Sequence, residues 1–92
     1  MRPHLLTEPA SSDDALLRVA CVQLAVTADR VRNHAAVREG VARAASAGAH
    51  LVLLPEKWSL IGEADVLLDG AETIDGSDVA LVKQLAAEHG IW

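Results

Sequence analysis

Apolar and polar positions along this chain fall into two kinds of block, short runs that are apolar on both parities and longer stretches with a period of about 3.6. From Arg18 to Val26 (RVACVQLAV) the apolar side chains occupy both parities, Val19 and Cys21 on one side and Val22, Leu24 and Val26 on the other. A strand that is apolar on both faces expects cover on both, as in the middle of a parallel sheet. Gln23 is its one neutral polar residue; it either lines a site or has its amide satisfied by neighbouring backbone. Asp29 is a good N-cap for the helical pattern RVRNHAAVREGVARAASAGA, in which Val37, Val41, Ala44 and Gly48 form one stripe. Val31, Ala35, Ala42 and Ala45 extend its apolar side, while Arg32, Glu39 and Arg43 take the solvated face. The helix is expected to end at Gly48. Gly40 inside it costs about 1 kcal/mol relative to alanine, a cost that close packing on a strand would offset.

The stretch HLVLLPEKW, residues 50–58, is the sharpest feature. Leu51 to Leu54 form a short continuous apolar run that stops at Pro55, the mark of a strand buried on both faces. Beyond it, Glu63 to Leu68 predicts a short helical turn within a long, glycine-punctuated loop. Ser77 caps a second helix, DVALVKQLAAEH, with Asp78 suiting the dipole at its N-terminus. Val82, Leu85 and His89 form its stripe, with Leu81 and Ala86 beside it, and Gly90 closes it as the C′ residue. Ile91 and Trp92 then look like the start of a third strand. The order strand, helix, strand, loop, helix is βαβ material. Two strands wanting cover on both faces, with helix enough for one, read as the amino-terminal part of something longer.

Composition narrows the class. Half of the 92 residues are apolar, yet there is no Phe or Tyr and only two Trp, so small aliphatics must do the packing that large anchors usually do. A single cysteine, Cys21, excludes an intrachain disulfide and agrees with a cytoplasmic setting. The net charge of -5, without a basic run, argues against nucleic acid as a partner. No apolar run approaches the roughly 18 residues of a membrane span. The start lacks a long apolar h-region, so it does not read as a secretory signal; residues 1–17 read as a flexible leader and 18–92 as the domain.

Candidate chemistry is sparse. His4, His34, His50 and His89 have no metal-ligand spacing with one another or with Cys21, and are expected to be solvated or at the core edge. Cys21, mid-strand, is expected to be a packed thiol rather than a nucleophile. No Gly-rich phosphate loop and no GxSxG occurs. Glu56 differs through its position. In parallel α/β sheets, ligands bind outside the carboxyl ends of the strands, and a carboxylate desolvated there can serve as general base. Spacing alone leaves a second reading open, a surface ion pair of Glu56 with Lys57. Trp58 is open in the same way, as a pocket wall or a core or subunit-facing aromatic.

RVACVQLAV, Asn33 within a long amphipathic helix, AGAHLVLLPEKW, a loop closing on AETIDG and a helix ending LAAEHGI together resemble the start of the nitrilase superfamily, the carbon-nitrogen hydrolases. The resemblance covers residues 18–92, and its most specific part is AGA, apolar strand, PE. It implies an α/β fold, the βαβ-type amino-terminal part of a four-layer α-β-β-α sandwich, incomplete in this chain. It also implies a glutamate, lysine and cysteine triad acting on a small nitrile, amide or N-carbamoyl compound through a covalent acyl- or thioimidate-enzyme. No metal or organic cofactor takes part, and a homodimer or higher homo-oligomer is expected. Of that triad only the glutamate transfers, onto Glu56. The lysine and cysteine are expected on later strands, neither Lys57 nor Cys21 filling those roles, so the isolated chain is expected to be inactive. The rival from another class is a small, non-catalytic βαβ binding or assembly module.

Overall fold

The computed structural model describes residues 16–92. Of the expected leader, all but Leu16 and Leu17 lies outside the described residues, as does His4; both leucines are exposed. Five elements follow in order: β1 (Val19–Cys21), α1 (Arg30–Ser46), β2 (Leu51–Leu53), α2 (Ala64–Asp69) and α3 (Ser77–His89). The two strands pair in parallel, with Val19 opposite Leu51 and Cys21 opposite Leu53, and α1 makes the crossover between them.

Both strands are shorter than the apolar runs that predict them. The ladder continues one step past β1, where the Val22 N–H donates to the Leu53 carbonyl at 2.9 Å. The next bond of a parallel ladder would come from the N–H of residue 55, and Pro55 has none. The residue that ends the apolar run therefore also ends the pairing. On the other edge of β2, the Trp92 N–H donates to the His50 carbonyl and the Val52 N–H to the Trp92 carbonyl, both at 2.9 Å. Residue 92 thus pairs with β2 as a third parallel strand would, as expected from the apolar pair after Gly90. His50 is tied in further, since its Nδ1 accepts the Arg18 N–H at 3.1 Å.

Local sequence rules explain both ends of α1. The Asp29 carboxylate accepts the Arg32 N–H at 3.3 Å, and Gly48, at φ +90°, turns the chain out of the helix. The Gly48 and Ala49 N–H groups donate back to the Ala45 and Ala44 carbonyls at 3.0 and 3.1 Å, the paired bonds of a Schellman ending. The buried face of α1 consists of Asn33, Val37 and Val41. Val31 and Ala35, expected on the apolar side, are exposed instead. Val31 lies two residues from Asn33, and Ala35 two from both Asn33 and Val37, about 200° around the helix from that face.

Leu81 and Leu85 of α3, with Ile91, complete a five-residue core against Val37 and Val41, and Leu24, Val52, Leu54 and Trp58 pack onto it. Both long helices contribute to that one core. Away from it, Val19 is 49% exposed, Leu53 50%, and Cys21 is exposed as well. The expected uncovered sheet surface is present, and it corrects the reading of Cys21 as a packed thiol: its strand has helix cover on one side only. The N-terminus of α3 also departs from expectation. Gly76, not Ser77, is the N-cap, and it provides no side-chain bond. Glu72 takes over, accepting the Asp78 N–H at 2.8 Å and the Ser77 hydroxyl at 2.6 Å.

A polar tether joins the two long helices. Arg30 Nε donates to Asp78 Oδ1 at 3.1 Å, its Nη2 donates to the Gly70 carbonyl at 2.6 Å, and Glu72 stands 3.6 Å from Nε. His34 Nε2 lies 2.7 Å from the same Asp78 oxygen. Burial pushes the Asp78 carboxyl up, but the Ser59 hydroxyl, the His34 ring and the Arg30 guanidinium together outweigh it and hold the group below its ordinary value of 3.8. The Glu72 carboxyl is lowered from 4.5, first by the Ser77 hydroxyl and then by the Asp78 N–H.

Two outcomes follow from this packing. A Cβ on Gly40 would stand 2.6 Å from Val22 Cγ1, a methyl on a stiff β-branched side chain. Gly40→Ala therefore forfeits the roughly 1 kcal/mol that alanine brings to a helix and has a net cost of about 1 kcal/mol from overpacking. In chemical unfolding, combining it with Val22→Ala should cost clearly less than the two single changes added together. The second outcome concerns acid. Because the folded-state carboxyls of Asp78 and Glu72 are lowered, their contribution to stability is complete above their unfolded values, and it is lost as the pH falls below about 4 and through the folded values. Melting temperature measured against pH should show this acid limb, and Asp78→Asn should make it shallower while costing on the order of 1 kcal/mol at neutral pH.

Candidate functional site

Where β2 stops, Pro55 leads into a turn whose two central residues, Glu56 and Lys57, are both exposed. Lys57 has φ +54°, in the left-handed region that costs a side-chain-bearing residue about 1 kcal/mol or more. That conformation reverses the chain directly after Glu56 and sends Trp58 back onto the core. Glu56 is thereby displayed beyond the carboxyl end of β2, where the strand pattern puts it. Among the described residues, the ion pairs join Arg30 with Glu72, Arg30 with Asp78 and His34 with Asp78. The alternative pairing of Glu56 with Lys57 is not formed.

Asn33 fixes the surroundings of this turn. It is 2% exposed, the one buried polar residue of the core region. Its Oδ1 accepts the Thr27 N–H at 2.8 Å and lies 2.9 Å from the Thr27 hydroxyl. Its Nδ2 donates to the Thr27 carbonyl at 2.7 Å and to the Ser59 carbonyl at 2.8 Å. Thr27 belongs to the loop after β1 and Ser59 to the loop after β2, so one carboxamide joins the two segments that leave the carboxyl ends of both strands. The Ile61 N–H adds a backbone bond to the Thr27 carbonyl at 3.2 Å.

His34, next to Asn33 on α1, was expected to be solvated or at the core edge. Its side chain is only 12% exposed, paired with Asp78, and its ring centroid lies 5.7 Å from that of Trp58. Trp58 itself packs on the core, which favours the core reading of that aromatic over a pocket wall. Neither Asn33 nor the His34–Asp78 pair was identified as a site residue by sequence reasoning. The available signal was a polar residue four positions before Val37, inside the apolar stripe. Gln23 and Cys21, by contrast, are exposed.

Little else in the described residues offers chemistry. An open apolar cleft beside α3, bordered by Val41, Val52, Leu85 and Trp92, contains no ionisable side chain. Among the described residues no three His, Cys, Asp or Glu side chains come together as a metal site would require, and no helix is long and apolar enough to cross a membrane. Glu56, on its tethered turn, is the remaining candidate.

Comparison with known proteins agrees with the residue pattern. The model of the carbon-nitrogen hydrolase family matches residues 18–92. A chloroplastic omega-amidase of Arabidopsis thaliana is 41% identical over 63 residues, which make up 67% of this chain and 17% of that protein. The chain thus spans a small part of that relative's length. No solved structure matches it. With the family model covering both strands, all three helices and the turn that carries Glu56, the chain belongs to the carbon-nitrogen hydrolase family.

Proposed function

We propose that these residues form the amino-terminal part of a cysteine-dependent carbon-nitrogen hydrolase in which Glu56 is the general base. The observation that carries this reading is the position of Glu56: exposed, directly past the carboxyl end of β2, on a turn that the family match includes. In the complete enzyme a cysteine thiolate attacks the carbon of a small amide, nitrile or N-carbamoyl group. Glu56 removes the thiol proton and delivers it to the departing nitrogen, and a lysine stabilises the charge on the substrate's heteroatom. Glu56 then activates the water that releases the acid, with ammonia or an amine as the other product; a nitrile consumes two waters, the first taken up by the thioimidate to expel ammonia and the second to hydrolyse the thioester. The likeness to an omega-amidase favours the amide among these substrates.

The lysine and the nucleophile come from outside residues 18–92. Cys21 lies on β1 at the bare sheet surface, opposite Leu53 and so before the turn, and Lys57 is bonded to Glu56 along the chain. In this reading the bare surface, with Val19 and Leu53 about half exposed, packs on a second sheet in a four-layer α-β-β-α sandwich. A cytoplasmic homodimer or larger homo-oligomer belongs to the same proposal, as does catalysis without a metal or organic cofactor.

Ammonia release from a panel of short amides and nitriles tests the assignment. In the complete enzyme Glu56→Gln should lower kcat by about 10² to 10⁴-fold, the usual contribution of a positioned general base, whereas Cys21→Ala should leave it unchanged. The 92 residues alone should turn over nothing. Wild-type rates in Glu56→Gln, or turnover by the isolated chain, would refute the reading.

A further inference from the structure

We propose that Asn33 is the positioning residue of Glu56, an inference that rests on the reading of Glu56 as the base. A helix face that packs with Val37 and Val41 has no need of a polar side chain for its packing, and a buried amide is costly unless its hydrogen bonds are made. Asn33 makes all of them. A carboxamide has two N–H donors and two acceptor lone pairs; its donors go to the Thr27 and Ser59 carbonyls, and its oxygen faces the Thr27 N–H and hydroxyl. Three of these four bonds fix Thr27 to α1. The fourth reaches Ser59, three residues beyond Glu56.

The turn needs such a hold because its own ladder has ended. Pairing with β1 stops at Pro55, and between Pro55 and Ser59 the chain passes through Lys57 at φ +54°, a conformation that persists only when the surroundings impose it. The β2 backbone holds one end of the turn. Asn33 holds the other, and through Thr27 it refers the position of Glu56 to β1 and α1 together. A base displaced by about 1 Å can lose a hundredfold in rate, so the carboxamide acts on catalysis through Glu56 without itself meeting the substrate.

The test compares Asn33→Ala with Val41→Ala, which removes core volume from the same face of α1 but takes no hydrogen bond from Thr27 or Ser59. Hydrogen–deuterium exchange over residues 56–60 is read alongside kcat and KM for amide hydrolysis in the complete enzyme. Asn33→Ala should speed exchange selectively in those residues and lower kcat roughly ten- to a hundredfold with KM little changed. Val41→Ala should loosen the core without that selectivity and leave kcat nearly intact. If Asn33→Ala does not fold, Thr27→Val, which removes one of the four bonds, should show the same pattern at smaller amplitude. Exchange over 56–60 that is unchanged, or raised equally by Val41→Ala, overturns the inference. So does an unchanged kcat in the Asn33 or Thr27 variant when Glu56→Gln abolishes turnover. Selective exchange together with full activity in Glu56→Gln supports the tether and removes the base reading, which keeps the two failures apart.

Discussion

One buried carboxamide holds together the two segments that leave the carboxyl ends of the strands. The loops after β1 and β2 leave the sheet side by side, and neither has a regular partner once Pro55 has ended the ladder. Asn33 supplies the missing bonds from the first turn of α1, with an orientation set by the Asp29 cap at one side and the contacts of Val37 and Val41 at the other. Replacing backbone pairing with a side chain exacts a condition: every donor and acceptor on it must be used, since an unsatisfied polar atom in such a place costs about 1–3 kcal/mol. The condition is met, and among the described residues no buried side-chain nitrogen or oxygen lacks a partner.

The same economy of contact shapes the packing. With no Phe or Tyr, the core consists of two valines, two leucines and an isoleucine, and the elements must come close to fill it. Gly40 permits that approach by leaving Val22 the space a Cβ would take. Close approach alone does not tie α3 to α1, and the Arg30, His34 and Asp78 tether adds direction to what the aliphatic contacts leave free. Because Arg30 and His34 share Asp78 and all three lie partly shielded from water, they act as a small network, which holds geometry better than an isolated surface pair.

Features governed by short stretches of chain were legible in the sequence. Asp29 as a cap, Gly48 and Gly90 as helix endings, Pro55 as the limit of β2 and Ile91–Trp92 as strand material each follow from backbone rules that act within a few residues. The place of Glu56 just past the end of β2 was legible for the same reason, since it is a local fact. What escaped was set by partners far along the chain. Asn33 meets Ser59 across 26 residues and His34 meets Asp78 across 44, and no local period announces either. Ser77 was assigned a cap that Glu72 provides from a preceding turn, and Cys21 was assigned burial that its side of the sheet does not receive. Periodicity gives the parity of a side chain, but cover depends on what lies opposite.

The exposure of Glu56 bears on how the proposed chemistry must be completed. A general base acts on a proton within hydrogen-bond reach, and the charge it helps to develop is stabilised most strongly where water is excluded. Residues 18–92 give Glu56 a fixed place and no roof. In the proposed chemistry, then, the lysine and cysteine would arrive with a surface that covers the turn as well as supplying the two reactive groups. A rigid turn suits that division, because a base whose position is set before the other groups close over it loses no further freedom at closure.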